Sequence, residues 1–493
     1  MNKIAQTLSV LVCVFLFSVI PIISPNAQAE GCFSIVVGKD ASENGNVIMG
    51  HNEDDSPPAV VNHRKIPRKN HAHGESVELL NGGRLDQVEK TWAYIWSEMP
   101  DLRFSDSYVN EWGVCIASDN CPSRENRPQL TDGGISYMLR RVVAQRAKSA
   151  REGVHIAAEL VEHFGYDASG RTYIICDPEE GWLFCVINGK HWLAARVPDD
   201  EVAVVANTFT VHNVDLSDTA NMLASNNIID YAVFRGWYDP EAGKDFDFAA
   251  AYADPEAFKS ESNLSRQWGG LRLIAERKLQ PDDPLPFSVK PASKMDVTDV
   301  MHVLRDHYEG TDLYRISSEN GSPHEAGVHS ICNSTTQTAF VVELDKDLPA
   351  DVGIVYWVCL GSPCTSFFVP FHFGMEKFPA AYITSNRMPF EDYYKKMIER
   401  QYNTSIFKAF WKFVNFRNKV HSDFTVIYPE LKSAMESYEK QVVTLRQSVV
   451  KTALGLYPEH KDAALGMLDN FSHSYYANAV KTMDKIMESR KSR

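Results

Sequence analysis

The stretch CFSIVVGKDASENGNVIMGHNED, residues 32–54, decides the fold predicted for this chain. Apart from Ser34, residues 33–37 are β-branched or aromatic and indicate a strand. Residues 42–46 are rich in turn formers, and residues 47–49 resume the strand pattern. This pattern predicts a β-hairpin. Because the two arms of a hairpin run antiparallel, Cys32 and the polar segment 50–55 are expected at the same end of a sheet.

Further strand patterns, interleaved with helical ones, extend along the chain to about residue 400. Strands are expected at 172–176, 182–186, 202–206, 338–344 and 353–360. A helical stripe is formed by Ile135, Met138, Leu139, Val142 and Val143. Ser149 and Glu152 have the spacing of a capping box that opens a second helix, which ends near Gly165. Strands joined as hairpins, without regular βαβ alternation, predict an α+β layered fold.

The last hundred residues show helical patterns and almost no strand signal. Apolar residues follow a 4-3-4-3 spacing at Leu431, Met435, Tyr438, Val442, Leu445 and Val449. The stripe is short for a coiled coil, so we expect it to pack on the main domain. The predicted organisation is a signal peptide at 1–29, a short pro-segment at 30–31, a main domain at 32–400 and a helical extension at 401–493.

Composition indicates a globular protein and argues against one class of partner. The chain has 493 residues, of which 44% are hydrophobic, and a formal net charge of −14. Nucleic-acid binding depends on Lys and Arg releasing counterions from phosphates, so a nucleic-acid partner is not expected. The oligomeric state stays open, with a homo-oligomer as one alternative.

The N-terminus has the pattern of a secretory signal peptide. Lys3 precedes an apolar run over residues 8–23, and a small-x-small cleavage site follows at residues 27–29. Pro21 interrupts the run, which is short for a membrane span. The mature protein is therefore expected outside the cytoplasm, either in a periplasm or secreted, with no membrane span.

Nine cysteines are present, and removal of Cys13 with the signal peptide leaves eight. Disulfides are permitted in an extracytoplasmic compartment. If Cys32 stays free, the remaining seven cannot all pair. Sequence spacing does not establish bridging geometry, so no particular disulfide is predicted.

Motifs for common cofactors and metals are absent from the sequence. There is no P-loop, no GxGxxG after a strand, no GxSxG and no HExxH. His71 and His73 lie one residue apart in a polar loop and lack a third ligand, which favours an ordinary surface feature. No metal and no cofactor are expected.

Cys32 is distinguished by its position just after the predicted cleavage site and at the start of a strand. A free α-amine has a pKa near 7.7–8.0 and can take a proton from the thiol of the same residue. Nucleophile and base then belong to one residue, provided that the peptide bond before Cys32 is cut. Gly31 offers little steric hindrance to attack by the Cys32 thiol on the preceding carbonyl.

Motifs spread over the chain resemble the dipeptidase A family of cysteine peptidases, which are N-terminal-nucleophile hydrolases similar to the choloylglycine hydrolases. The matching segments, beyond 32–42 and 50–54, are 110–114, 121–125, 140–152, 177–182, 206–207, 236–240 and 361–366. The resemblance runs from Cys32 to past residue 400. It implies an αββα sandwich with a helical C-terminal extension.

The resemblance also implies roles for individual residues. Cys32 would be the nucleophile, Asp54 the acceptor that holds its α-amine, and Asn207 an oxyanion donor. Asn120 matches a second oxyanion donor, with a loop cap as the alternative. His51 stands where relatives commonly carry Arg, so substrate binding or thiolate stabilisation is expected to differ there.

These inferences predict an exported dipeptidase that acts through an N-terminal cysteine on a dipeptide substrate. One alternative is an amidase of the choloylglycine type, acting on non-peptide acyl amides. An alternative of another class is a lipid-anchored binding protein with Cys32 acylated. Eight polar or small residues separate Cys32 from the apolar run, and no Leu lies three residues before it, which argues against the lipid anchor.

Overall fold

The computed structural model describes residues 31–55, 59–100, 104–384, 405 and 407–491. Its nineteen strands among these residues are β1 Phe33–Val37, β2 Val47–Asp54, β3 Asn62–Ile66, β4 Lys69–Asn70, β5 Ser76–Glu78, β6 Arg84–Asp86, β7 Lys90–Thr91, β8 Tyr94–Met99, β9 Phe104–Asn110, β10 Cys115–Asn120, β11 Tyr166–Cys176, β12 Gly181–Gly189, β13 Trp192–Arg196, β14 Val202–Val205, β15 Met222–Ala224, β16 Ser288–Val289, β17 Thr336–Leu344, β18 Ile354–Leu360 and β19 Val369–His372. The helices of the same residues are α1 Met138–Arg146, α2 Ala150–Phe164, α3 Ile228–Phe234, α4 Phe248–Tyr252, α5 Pro255–Phe258, α6 Glu261–Ile274, α7 Val297–Leu304, α8 Ala350–Gly353, α9 Ala409–Ser422, α10 Phe424–Leu456 and α11 Lys461–Lys491.

Two antiparallel sheets form the centre of the molecule. One has seven strands in the order β16-β14-β1-β2-β17-β18-β19, and the other has eight in the order β15-β13-β12-β11-β10-β9-β8-β3. The predicted hairpin is β1 and β2, with Ser34 opposite His51. β2 runs on to Asp54, beyond the predicted end, because β17 pairs with its other side.

Alternation along β1 shows how the layers stack. A Cβ at Gly270 of α6 would lie 2.7 Å from Phe33, whereas a Cβ at Gly181 of β12 would lie 2.7 Å from Val36. Successive side chains of a strand point to opposite faces, so one face of β1 packs on helices and the other on the eight-stranded sheet. With α1 and α2 packed on that second sheet, the architecture is the predicted αββα sandwich of the α+β class.

The second predicted helix is confirmed, and its cap is half formed. The Ser149 hydroxyl accepts the Glu152 N–H at 3.1 Å, and Gly165 follows the last residue of α2. The Glu152 carboxylate accepts the N–H of Lys148, one residue before the cap, in place of the reciprocal bond to Ser149. A capping box is therefore present on one side only.

The C-terminal helices pack on the edge of the seven-stranded sheet and on each other. In α10 the stripe residues Leu431, Met435, Tyr438 and Val442 are buried, whereas Leu445 is 51% exposed. α11 contacts both α10 and β19. No helix in the described part of the chain is both long and apolar enough to cross a membrane. The predicted signal peptide and the boundary at residue 400 lie outside the described residues and stay predictions.

Candidate active site

Cys32 and Asp54 meet at one end of the central hairpin. Cys32 directly precedes β1, and Asp54 is the last residue of β2. The Cys32 Sγ lies 3.8 Å from the main-chain oxygen of Asp54, and the Cys32 residue is only 3% exposed. The hairpin therefore brings the two residues together as the sequence pattern predicts.

Neighbouring side chains tightly enclose Gly31, which precedes Cys32. A Cβ at Gly31 would lie 2.7 Å from Oδ2 of Asp54 and 2.1 Å from Nε2 of His329. The Asp54 carboxylate thus borders the bond whose cleavage would free the Cys32 amine. Only glycine fits at position 31 without movement of these neighbours.

Arg266 of α6 holds the main chain on both sides of the thiol. Its Nη1 donates to the carbonyl of Gly31 at 2.6 Å and to the carbonyl of Cys32 at 2.9 Å. Its Nη2 donates to the side-chain oxygens of Asn207 at 2.9 Å and Asn263 at 2.7 Å. The guanidinium is fully buried, so these contacts act without competition from bulk water.

Asn207 lies at this site through its side chain, whereas Asn120 contributes its main chain. The Asn207 Nδ2 donates to the carbonyl of Asn120 at 2.9 Å while Arg266 fixes its oxygen. One N–H of the Asn207 amide is thereby used, and a primary amide has a second. The Asn120 side-chain oxygen accepts from Ser169 at 3.4 Å. The oxyanion roles of both residues stay predictions.

Burial and nearby negative charge shift the pKa values of Cys32 and Asp54. Burial, together with the carboxylates of Glu53, Asp54 and Asp119, raises the pKa of the Cys32 thiol well above its usual value. Burial also raises the pKa of Asp54 to about 7, against the opposing effects of Thr336, Asn333 and Arg266. In the uncut chain the thiol is therefore protonated at neutral pH, and its reaction requires a base.

The surroundings of His51 favour its charged form at neutral pH. Its Nδ1 lies 2.8 Å from the Ser34 hydroxyl, which itself donates to Asp119, and its Nε2 lies 3.2 Å from both Glu53 and Asp106. Both ring nitrogens therefore act as donors. Burial lowers the pKa of His51, but these carboxylates outweigh burial and raise it to about 10.

His51 adjoins the thiol but is not open to solvent. The Cys32 Sγ, a ring nitrogen of His51 and a carboxylate oxygen of Glu53 lie within 4.8 Å of one another. The imidazole is fully buried. A buried imidazolium facing several carboxylates favours a structural and electrostatic role over direct contact with substrate, so the predicted substrate-binding role of His51 stays untested.

Three residues of the site were not identified from the sequence. They are Arg266, His329 and Asn333. Asn333 donates its side-chain N–H to Oδ2 of Asp54 and lies 3.3 Å from His329. The sequence offers one weak sign of Arg266. Its spacing of three from Asn263 puts both residues on one face of a helix. Nothing local in the sequence connects Asn333 or His329 to Cys32.

All eight cysteines in the described residues are buried and form no disulfide. The His71 ring is packed and not solvated as expected, since its side chain is only 5% exposed and lies 2.7 Å from Glu75 and 3.1 Å from Thr91. His71 and His73 belong to no group of metal-ligating side chains in the described part of the chain.

Comparison with known proteins identifies a hydrolase of the peptidase class. The chain belongs to peptidase family C69, whose family model matches residues 31–422. The probable dipeptidase B of Streptococcus pyogenes serotype M1 is 27% identical over 381 residues, which cover 72% of this chain and 74% of that protein. The probable dipeptidase of Salmonella dublin is 27% identical over 361 residues, covering 70% and 82%. The resemblance to the dipeptidase family is thereby confirmed.

Solved structures with similarity to this chain include two hydrolases. Penicillin V acylase from Agrobacterium tumefaciens has 12% identity and a TM-score of 0.34, covering 70% of this chain and 86% of its own. A mutant of conjugated bile acid hydrolase from Clostridium perfringens has 13% identity and a TM-score of 0.31, covering 70% and 92%.

Proposed function

We propose that this protein is an exported dipeptidase whose nucleophile is the thiol of Cys32, set free as the N-terminal residue by cleavage after Gly31. The observation that carries the proposal is the contact of Arg266 with the Gly31 carbonyl at 2.6 Å, next to the Asp54 carboxylate. A cation on the carbonyl and a carboxylate beside the future amine are what both self-cleavage and turnover require. The names of the relatives support a dipeptide as substrate.

Self-cleavage would begin with attack of the Cys32 sulfur on the Gly31 carbonyl carbon. The Gly31 oxygen gains negative charge in the tetrahedral intermediate, where Arg266 stabilises it. Collapse breaks the Gly31–Cys32 C–N bond, and the thiol proton passes to the departing nitrogen. Water then hydrolyses the resulting thioester, leaving a Gly31 carboxylate on the released segment and a free thiol and amine on Cys32.

In turnover, the same groups would act on a substrate amide. The neutral α-amine of Cys32 takes the thiol proton as the sulfur attacks, and it returns a proton to the leaving amine of the substrate. The Asp54 carboxylate orients the amine, and Arg266 with Asn207 faces the developing oxyanion. Water releases the second product and restores the thiol.

A cavity of about 920 Å³ has the volume of a small-molecule pocket, and residues next in sequence to two residues of the site line it. Thr208, directly after Asn207, and Gln267, directly after Arg266, both line it. Phe209, Phe258 and Phe287 give it an apolar wall, and Asp247 and Lys259 add charge. Its volume and mixed lining support a substrate of dipeptide size.

The test combines mass analysis with a substrate panel. Active protein purified from the extracytoplasmic fraction is expected to begin at Cys32 by intact mass, and Cys32→Ala is expected to retain residue 31 and to lack turnover. Cys185→Ala, another buried cysteine, serves as the matched control with normal processing and activity. Active protein that keeps Glu30 and Gly31, or an acylated Cys32, contradicts the mechanism. Faster hydrolysis of conjugated acyl amides than of dipeptides contradicts the substrate class.

A further inference from the structure

Four metal-ligating side chains converge in a largely buried cluster separate from Cys32. They are His307, His324, Cys332 and Cys364, and their ligand atoms all lie within 4.8 Å of one another. The first three belong to the segment between α7 and β17, which has no regular secondary structure except a short 3-10 turn at Pro323–Glu325. Long irregular segments inside a compact domain need another source of rigidity.

The separations between ligand atoms match those of a tetrahedral metal centre. The Nε2 atoms of His307 and His324 are 3.0 Å apart, and the His324 Nε2 lies 3.5 Å from each of the sulfurs of Cys332 and Cys364. For zinc bonded tetrahedrally to imidazole nitrogen and thiolate sulfur, two nitrogens lie about 3.4 Å apart and a nitrogen and a sulfur about 3.6 Å apart. These three separations lie within about 0.4 Å of the tetrahedral values, and all four ligand atoms lie within 4.8 Å of one another.

Surrounding groups orient the two imidazoles. His307 Nδ1 lies 2.9 Å from a carboxylate oxygen of Glu309, so its protonated nitrogen faces Glu309 and the lone pair of Nε2 faces the cluster. The His324 ring stacks on His421 at a centroid distance of 4.1 Å. A carboxylate behind a ligating histidine is the usual outer partner of a zinc site.

We propose that His307, His324, Cys332 and Cys364 bind one structural zinc ion. Two thiolates and two imidazoles are a ligand set that selects Zn²⁺ over the oxygen-preferring Mg²⁺ and Ca²⁺. All four positions are filled by protein, which leaves none for a water or a substrate. Binding releases the two thiol protons, and the two thiolates balance the charge of the ion. This revises the sequence expectation of no metal, which weighed only His71 and His73.

The ion would fix the position of Asn333 in the active site. Cys332 is followed by Asn333, which contacts both Asp54 and His329. Cys364 belongs to the turn after β18. A metal shared by Cys332 and Cys364 would therefore link the segment that carries Asn333 to the seven-stranded sheet. The proposal does not depend on the role of Cys32, because the zinc content is measured without any assay of activity.

The rival arrangement is a disulfide between Cys332 and Cys364, which an oxidising compartment would permit. That bond would consume both sulfur ligands and leave the two histidines hydrogen-bonded to each other. The two states differ in mass by two hydrogens and in metal content, so one sample distinguishes them.

The experiment uses the full chain without a histidine tag, reduced, supplied with one equivalent of Zn²⁺ and passed through gel filtration. Elemental analysis is expected to give one zinc per chain, and Cys364→Ser and His307→Ala are expected to lose it, while the control Cys185→Ser keeps it. Cobalt-loaded wild-type protein is expected to show thiolate charge-transfer absorbance, which tests the ligands without any substitution. Folded, reduced wild-type protein that retains no zinc, or native protein with a Cys332–Cys364 disulfide, overturns the proposal.

Discussion

Arg266 binds the carbonyl oxygen of Gly31 at 2.6 Å across a sequence separation of 235 residues. The same guanidinium also reaches the carbonyl of Cys32 and the side chains of Asn207 and Asn263. A planar fork of donors can serve these four acceptors at once, whereas a lysine ammonium cannot reproduce the geometry. The site therefore depends on this residue for shape as well as charge.

Replacing Arg266 by Lys is expected to slow both self-cleavage and turnover. Removal of an oxyanion donor costs about 10²–10³ in kcat, and we expect a loss in this range. Intact mass would report residual uncut chain, and kcat/KM on a dipeptide would report turnover. Arg277→Lys, at an exposed position just after the same helix, serves as the control. Normal processing and activity in Arg266→Lys would contradict a role of Arg266 in self-cleavage and turnover.

Gly31→Ala is expected to impede cleavage before Cys32. The added Cβ would lie 2.1 Å from Nε2 of His329, so the chain or the ring must move. The double variant Gly31→Ala with His329→Ala is expected to recover part of the processing rate, since the nearest obstacle is removed. The measurement is the fraction of chain that begins at Cys32, with His329→Ala alone as reference. Equal processing of Gly31→Ala and wild type would show that the fit at position 31 is unimportant.

Substitutions at Asn207 and Asn120 are expected to differ in effect. Arg266 orients the Asn207 amide, so Asn207→Ala should lower kcat by about 10²-fold or more. Asn120 offers its main-chain carbonyl to Asn207, and Asn120→Ala keeps that carbonyl. We therefore expect a smaller loss for Asn120→Ala in the same dipeptide assay. A larger loss for Asn120→Ala than for Asn207→Ala would reverse the assignment.

His51→Gln is expected to destabilise the protein in a pH-dependent manner. The pKa of His51 is raised from 6.5 to about 10, so its stabilising charge is fully present below pH 6.5 and is lost as pH rises towards 10. Wild type should have a larger unfolding free energy than His51→Gln. This difference should be larger at pH 6 than at pH 10 by at least about 1 kcal/mol. Urea unfolding at several pH values provides the measurement. A difference that does not change with pH would contradict a charged His51.

The sequence by itself determined the hairpin, and with it the meeting of Cys32 and Asp54. Both follow from local rules, because turn formers between two strand patterns bring the ends of the hairpin together whatever the rest of the chain does. The family motifs added the αββα architecture, which the structure confirms as two stacked sheets between helices. They also added Asn207, whose role stays a prediction. The helix that begins after Ser149 was likewise predictable from its cap and its terminal glycine.

The tertiary structure alone decided which distant side chains share a site and what charge they carry. Arg266, Asn333 and Cys364 come from separate segments, and no local pattern encodes their contacts with Asp54, Cys32 or the other ligands of the proposed zinc site. His51 reads as an ordinary histidine, yet three buried carboxylates keep it protonated. Desolvation and Coulomb interactions depend on distances in three dimensions, so the raised pKa values of His51 and Asp54 depend on the stacking of the two sheets.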